Sequence, residues 1–83
     1  MFTGIIEAKG IITAVESHGG NSSFEIASPI SHELKIDQSL AHNGVCLTVE
    51  AISEGKHRVT AIAETLAKTT LANWKTGMAV NLE

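Results

Sequence analysis

The sequence predicts an all-β domain of short antiparallel strands with one or two short helices. Three observations carry that prediction. β-branched and apolar segments recur at roughly 8–12-residue spacing between turn signals, the pattern of a small barrel or sandwich. Glycine-bearing breaks at 18–21, 43–44 and 54–55 separate them. No long helical crossover stands between consecutive strands, and a parallel sheet would need one. Closing such a sheet into a barrel also removes its exposed edges.

Taken in order, "GIITAVES" (10–17) is a strand that "HGGN" (18–21) ends with glycines suited to positive φ. "SSFEIAS" (22–28) alternates, with Phe24 and Ile26 on one face and Ser23, Glu25 and Ala27 on the other. Pro29 closes it, because proline brings no N–H to a ladder. "ISHELKI" (30–36) is a short turn or helical segment with Ile30 and Leu34 at i,i+4. "QSLAH" and "VCLTVEAI" flank Asn43-Gly44, the strongest hairpin signal in the chain. "EGK" (54–56) then turns into the strand "HRVTAIA" (57–63). "ETLAKTTLANW" (64–74) places Leu66, Thr70, Leu71 and Trp74 near helical spacing and is expected to form one short helix, with Trp74 anchoring it to the barrel. "MAVNLE" (78–83) is the last strand. The apolar, β-prone "MFTGII" at the start should pair into the sheet or cover something.

Composition narrows the function. Eighty-three residues form a single domain, 1–83, with 43% hydrophobic residues, enough for a core. A chain this short buries only ~60–65% of its unfolded surface, and one cysteine cannot staple it internally, so docking on a second domain or subunit is expected. The net charge is −3, and the six Lys and Arg form no run, which argues against nucleic acid and acidic membrane surfaces. No apolar run approaches the ~20 residues of a membrane helix, and the N-terminus lacks the basic start of a secretion signal. The expected setting is reducing and cytoplasmic.

Period-two alternation gives the clearest chemical feature. Val45, Leu47 and Val49 make a core stripe, so Cys46, Thr48 and Glu50 point to the opposite face. A thiol and a hydroxyl two residues apart on an open face could hydrogen-bond a polar ring or react. The competing reading makes Cys46 a small apolar core filler. The histidines His18, His32, His42 and His57 show no ligand spacing and there is no second cysteine, so no metal site is expected; they read as turn and surface residues. There is no phosphate loop, serine elbow or paired-carboxylate motif.

Several stretches together resemble the N-terminal half of riboflavin synthase: "MFTGIIE" at the start, "SLAHNGVCLTV" in the middle, "ETL" at 64–66 with "T.L" at 69–71, and "G..VNLE" at the end. They stand in the family's order and spacing across essentially the whole chain. The resemblance implies a six-stranded antiparallel Greek-key barrel with one short helix. It implies a transferase reaction in which one 6,7-dimethyl-8-ribityllumazine donates a four-carbon unit to another. The products are riboflavin and a ribitylamino-pyrimidinedione, and neither metal nor other cofactor takes part. It places Gly4, Ile5 and Ile6, then Ser39, Cys46, Leu47 and Thr48, then Thr60, Ala61, Ile62, Ala63, Glu64 and Thr65 at the lumazine or riboflavin. Cys46, Thr48 and Phe2 are the positions it sets near the reacting centre.

The family's chains carry two barrels in tandem, with each active site between the N-barrel of one subunit and the C-barrel of another in a homotrimer. This chain ends where the first barrel should pass into the second. A lone barrel is expected to pair with itself as a homodimer and to be weak or inactive as an enzyme. The alternative is a non-catalytic lumazine- or riboflavin-binding module.

Overall fold

Three two-residue turns set the strand register. Gly19-Gly20, Asn43-Gly44 and Glu54-Gly55 all have both residues at positive φ (53° and 96°, 51° and 84°, 47° and 78°). That is the hairpin turn whose twist matches the right-handed twist of its flanking strands. The computed structural model describes residues 8–83. Phe2, Gly4, Ile5 and Ile6, and with them the expected pairing of the N-terminal segment, lie outside the described residues.

Six strands follow: β1 (Ala8–His18), β2 (Asn21–Ala27), β3 (Ser39–His42), β4 (Val45–Ser53), β5 (Lys56–Ala61) and β6 (Ala79–Leu82). They form a closed antiparallel barrel in the order β1-β2-β5-β4-β3-β6. Two long strands each serve two neighbours. β1 pairs with β6 from Ala8 to Ile11 and with β2 from Ile11 to His18, with a register shift between Ile12 and Ala14. β4 pairs with β3 from Val45 to Thr48 and with β5 from Val49 to Ser53, with a shift that leaves Glu50 as the extra residue. Such bulges bend a strand enough to close a small barrel.

Alternation places Phe24, Ile26, Leu47 and Val49 inside as the sequence predicts, while Val45 of the same stripe is half-buried against the core. Phe24, Ile26, Leu47, Val49, Val59, Val80 and Leu82 are all buried. Trp74 is buried too, and its ring meets Phe24 edge-on at 5.2 Å and 63°, so it does anchor its segment to the barrel. Gly10 is held by space: a Cβ there would lie 2.5 Å from Ile26 Cγ2 and 3.2 Å from the Ala27 carbonyl oxygen. The face opposite Phe24 is less open than alternation suggests, since Ser23 is also buried, its Oγ 2.8 Å from Thr60 Oγ1.

The expected helix over 64–74 divides in two. The helix α1 spans Ala63–Lys68, Thr69 is extended (φ −132°, ψ 179°), and a 3-10 turn covers Thr70–Asn73. The Thr69 hydroxyl accepts from the Leu71 N–H, capping the second piece, and donates to the Thr65 carbonyl. The side chain competes with the helix for its own backbone, which ends α1 there. β5 stops at Ala61, two residues short of expectation, because Ile62 already serves as the helix N-cap. The segment after Pro29 is a 3-10 turn, Ser31–Glu33.

The structure also corrects the reading of the histidines. His18 and His32 are exposed, whereas His42 and His57 are fully buried, 0% and 1% exposed. His42 shares the inward parity of Leu40 on β3, and His57 that of Val59 on β5.

Candidate functional site

The outer face of the β3–β4 hairpin carries the polar residues that alternation singled out. Cys46, Thr48 and Glu50 are exposed, while Leu47 and Val49 on the same strand are buried. Cys46 is therefore a surface thiol and not a core filler. Ser39 stands opposite Thr48, and Ala41 opposite Cys46. Cross-strand partners of this kind place their Cβ atoms about 4.5–5.5 Å apart, so the Ser39 and Thr48 hydroxyls form one polar patch.

Backbone direction adds a second feature. The Ala41 N–H and C=O bond the C=O and N–H of Glu83 at 3.1 and 3.2 Å. Ala41 therefore spends its backbone groups on the β6 side, and Ala41–Cys46 is a non-hydrogen-bonded pair. The N–H and C=O of Cys46 then point away from β3, toward β5. Yet among the described residues the β4–β5 ladder ends at Val49–Val59. A backbone N–H and C=O with no partner among the described residues, flanked by a thiol and two hydroxyls, can meet a planar ring with alternating donors and acceptors as it would a neighbouring strand.

The far wall comes from β5 and α1. Thr60 faces outward, half-buried, and donates to Glu50 Oε1 at 2.7 Å. A carboxylate only accepts, so Ser23 must donate to Thr60, and the hydroxyl chain runs Ser23 to Thr60 to Glu50. Arg58 Nε lies 3.8 Å from the same Glu50 oxygen and its Nη2 3.3 Å from Glu16 Oε2. Beyond Thr60, Ile62 is 55% exposed, an unusual position for a large apolar side chain beside polar ones. The Ala63 N–H is bonded by Asn21 Oδ1 at 3.1 Å, which caps α1 from β2. Glu64 is exposed and paired with Lys68 at 2.8 Å, and Thr65 is half-buried.

The predicted residues divide accordingly. Ser39, Cys46, Thr48, Thr60, Ile62, Ala63 and Glu64 present side chains at the surface on neighbouring elements. Leu47 and Ala61, 5% and 1% exposed, point into the core and have only backbone to offer outward. Glu50, Ser23 and Asn21 were not singled out as site residues. Glu50 shares the parity of Cys46 and Thr48, the signal that could have found it. Among the described residues no group of three or more His, Cys, Asp or Glu is arranged to hold a metal ion. A surface hollow of about 200 Å³ lined by residues including Ala51, Ile52, Lys56 and His57 lies at the other end of the β4–β5 ladder, away from Cys46.

Residues 3–83 match the family described as the lumazine binding domain. The chain belongs to that family. This lumazine-binding domain is 42% identical over 87 residues to the riboflavin synthase of Photobacterium phosphoreum, and 37% identical over 84 residues to that of Bacillus subtilis (strain 168). Both alignments cover the whole of this chain and 39% of the relative, so the chain spans about two fifths of the curated relatives' length. Among solved structures it superposes on LumP complexed with riboflavin at a TM-score of 0.94 and 28% identity, covering all of this chain and 46% of that one. LumP complexed with 6,7-dimethyl-8-(1'-D-ribityl) lumazine gives 0.93 and 29%, with 48% of that chain covered. No helix of the described residues is long and apolar enough to cross a membrane.

Proposed function

We propose that residues 1–83 are a single lumazine-binding barrel, the substrate-binding half of a riboflavin synthase, acting in riboflavin biosynthesis in the cytoplasm. The observation that carries this reading is the backbone of Cys46, unpaired among the described residues, between the Ser39–Thr48 hydroxyl pair and the Thr60–Thr65 wall. A lumazine ring can lie there with its C=O and N–H edge against the strand, while Ile62 offers an apolar face to the ring. The hydroxyls of Ser39, Thr48 and Thr60 suit the ribityl chain, and Ala63, Glu64 and Thr65 stand at the same rim. Leu47 and Ala61 contribute backbone. Gly4, Ile5, Ile6 and Phe2 belong to the site by family resemblance alone.

The dismutation needs a proton taken from the ring's acidic 7-methyl group and a nucleophile added to the ring. Cys46 and Thr48 are the groups of this face positioned for either role, with Phe2 near the reacting centre by resemblance. A second barrel facing this one would supply the rest of the site. By itself the chain is expected to pair with a second copy across that surface and to turn over slowly or not at all.

A second reading, a module that holds lumazine or riboflavin without converting it, is favoured by the close superposition on LumP in complex with three ligands, riboflavin, the lumazine and flavin mononucleotide. Titration of riboflavin into the chain, followed by flavin fluorescence, tests both. Quenching or a spectral shift is expected, and a flat titration sinks both. Incubation with the lumazine then separates them: slow riboflavin formation that accelerates when a second barrel is supplied supports the synthase half, and none under either condition supports the module. Sedimentation should give a dimer; a stable monomer counts against self-pairing.

A further inference from the structure

The barrel interior holds a polar chain apart from the outer face that carries Cys46 and Thr48. The Nε2 atoms of the buried His42 and His57 lie 3.0 Å apart. His42 Nδ1 is 2.9 Å from the Leu40 carbonyl oxygen. His57 Nδ1 is 2.8 Å from Ser31 Oγ, itself 2.7 Å from Ser28 Oγ.

One proton arrangement satisfies every member. A carbonyl oxygen only accepts, so His42 carries its proton on Nδ1. A neutral His42 then accepts at Nε2, so His57 donates from Nε2 and accepts at Nδ1. Ser31 therefore donates to His57, and Ser28 to Ser31. The two imidazoles are opposite tautomers, each fixed by its neighbour.

That arrangement has room for one more proton and no second. Protonated at Nδ1, His57 donates to Ser31, whose hydroxyl turns toward the Ile26 carbonyl 3.5 Å away or toward Ser28. The next proton must go to His42 Nε2, where it faces the Nε2–H of His57 head-on. Two donors and two positive charges then share a 3.0 Å contact between buried rings.

We propose that the His42–His57 pair is a proton-operated latch, which ties β3 to β5 across the barrel interior and releases when the second proton binds. Burial pushes both imidazoles down, to about 4, with His57's charge adding to the effect on His42 and the Leu40 carbonyl opposing it. Among the described residues the charged groups on the surrounding elements keep contact with solvent, and Glu25, Lys56 and Arg58 line a surface hollow together with His57. Glu25 of β2, His32 and Glu33 of the 3-10 turn, Glu50 of β4, Lys56 and Arg58 of β5, and Glu83 beyond β6 are all partly or fully exposed. Cys46, the other titratable group of β4, faces outward as well. His57 also lines the surface hollow at its end of the ladder, which gives a proton a short way in. β4 lies between β3 and β5 in the barrel, so release loosens the strand that carries Cys46 and Thr48. Its consequence for bound flavin rests on the lumazine-binding reading.

Imidazole nitrogen NMR on the full chain from pH 7.5 to 3.5, without ligand, tests the latch. At pH 7.5 His42 should appear protonated at Nδ1 and His57 at Nε2. Both should stay neutral into the acid range, where His57 takes the first proton in an intact barrel and the second arrives with loss of shift dispersion. With two protons taken up, the unfolding constant should rise by up to about a hundredfold per pH unit. The double variant His42→Leu/His57→Leu should lose that acid transition. Two identical tautomers in the native chain, two charged imidazoles in an intact barrel, or an unchanged transition in the double variant would each overturn the proposal. Should the double variant not fold, the native spectra decide. Failure to bind riboflavin at pH 7.5 would instead count against the ligand reading, and the ligand-free spectra are independent of it.

Discussion

Val49 of β4 and Val59 of β5 face each other, both wholly buried, as the last partners of their ladder. Among the described residues, β4 continues past them through Thr48 to Val45 against β3 alone. The bulge is where β4 changes neighbours, and the stretch past it, which no described residue of β5 pairs, carries Cys46 and Thr48.

Thr48→Val keeps the shape of an exposed residue and removes its hydroxyl. Riboflavin affinity should fall about two- to tenfold, the worth of one hydrogen bond of about 0.5–1.5 kcal/mol. Thermal stability should stay within ~0.5 kcal/mol of the native chain. Parallel fluorescence titrations and melts check both, and an unchanged affinity removes Thr48 from the site.

Acidification should destabilise the barrel in a defined window. His42 and His57 have folded-state values near 4 against the ordinary 6.5. The unfolded chain binds these protons more tightly, so the stabilisation is complete above pH 6.5 and is lost as pH falls from there toward 4. The limit is about 3 kcal/mol per imidazole at 1.36 kcal/mol per unit, a large share of a small domain's stability. Denaturant midpoints at pH 7, 5.5 and 4.5 measure it. A flat profile would contradict the burial of the pair.

Gly10→Ala should destabilise by about 1–3 kcal/mol, the usual cost of overpacking. The added methyl meets Ile26 Cγ2 at 2.5 Å and a backbone oxygen at 3.2 Å, and the oxygen cannot turn aside. Chemical denaturation of the variant reads the loss directly, and an unchanged midpoint would mean that β1 and β2 yield there.

Glu54→Asn should stabilise by roughly 0.5–1 kcal/mol, because Glu54 sits at φ 47° in the left-handed region that asparagine tolerates better. A rise in Tm of several degrees is expected for a domain of this size. A fall in Tm would show that the exposed Glu54 side chain contributes more than its backbone strain costs.

Much of this was legible in the sequence, because it follows from local rules. Asn43-Gly44 and Glu54-Gly55 dictate tight turns through the conformations those residues tolerate. Alternation along 45–50 then decides that Leu47 and Val49 face inward and Cys46 and Thr48 outward. The helix boundary was not legible, since Leu66, Thr70 and Leu71 keep helical spacing while the Thr69 hydroxyl diverts the backbone. The inward parity of His42 was readable from Leu40, but the turn beside it concealed it.

Tertiary structure alone decided which groups meet. Nothing local says that β4 leaves β5 at Val49, that Thr60 reaches Glu50, or that Asn21 caps a helix 42 residues away. Likewise the hairpins at Asn43-Gly44 and Glu54-Gly55 set β3 and β5 on the two sides of β4, but His42 and His57 become one hydrogen-bonded unit only because the sheet curls into a barrel and brings their inward side chains together. Side-chain direction along a strand is set by the chain's own period of two. The neighbour across an interior is set by how many strands close the barrel and where they bulge, which is a property of the whole sheet.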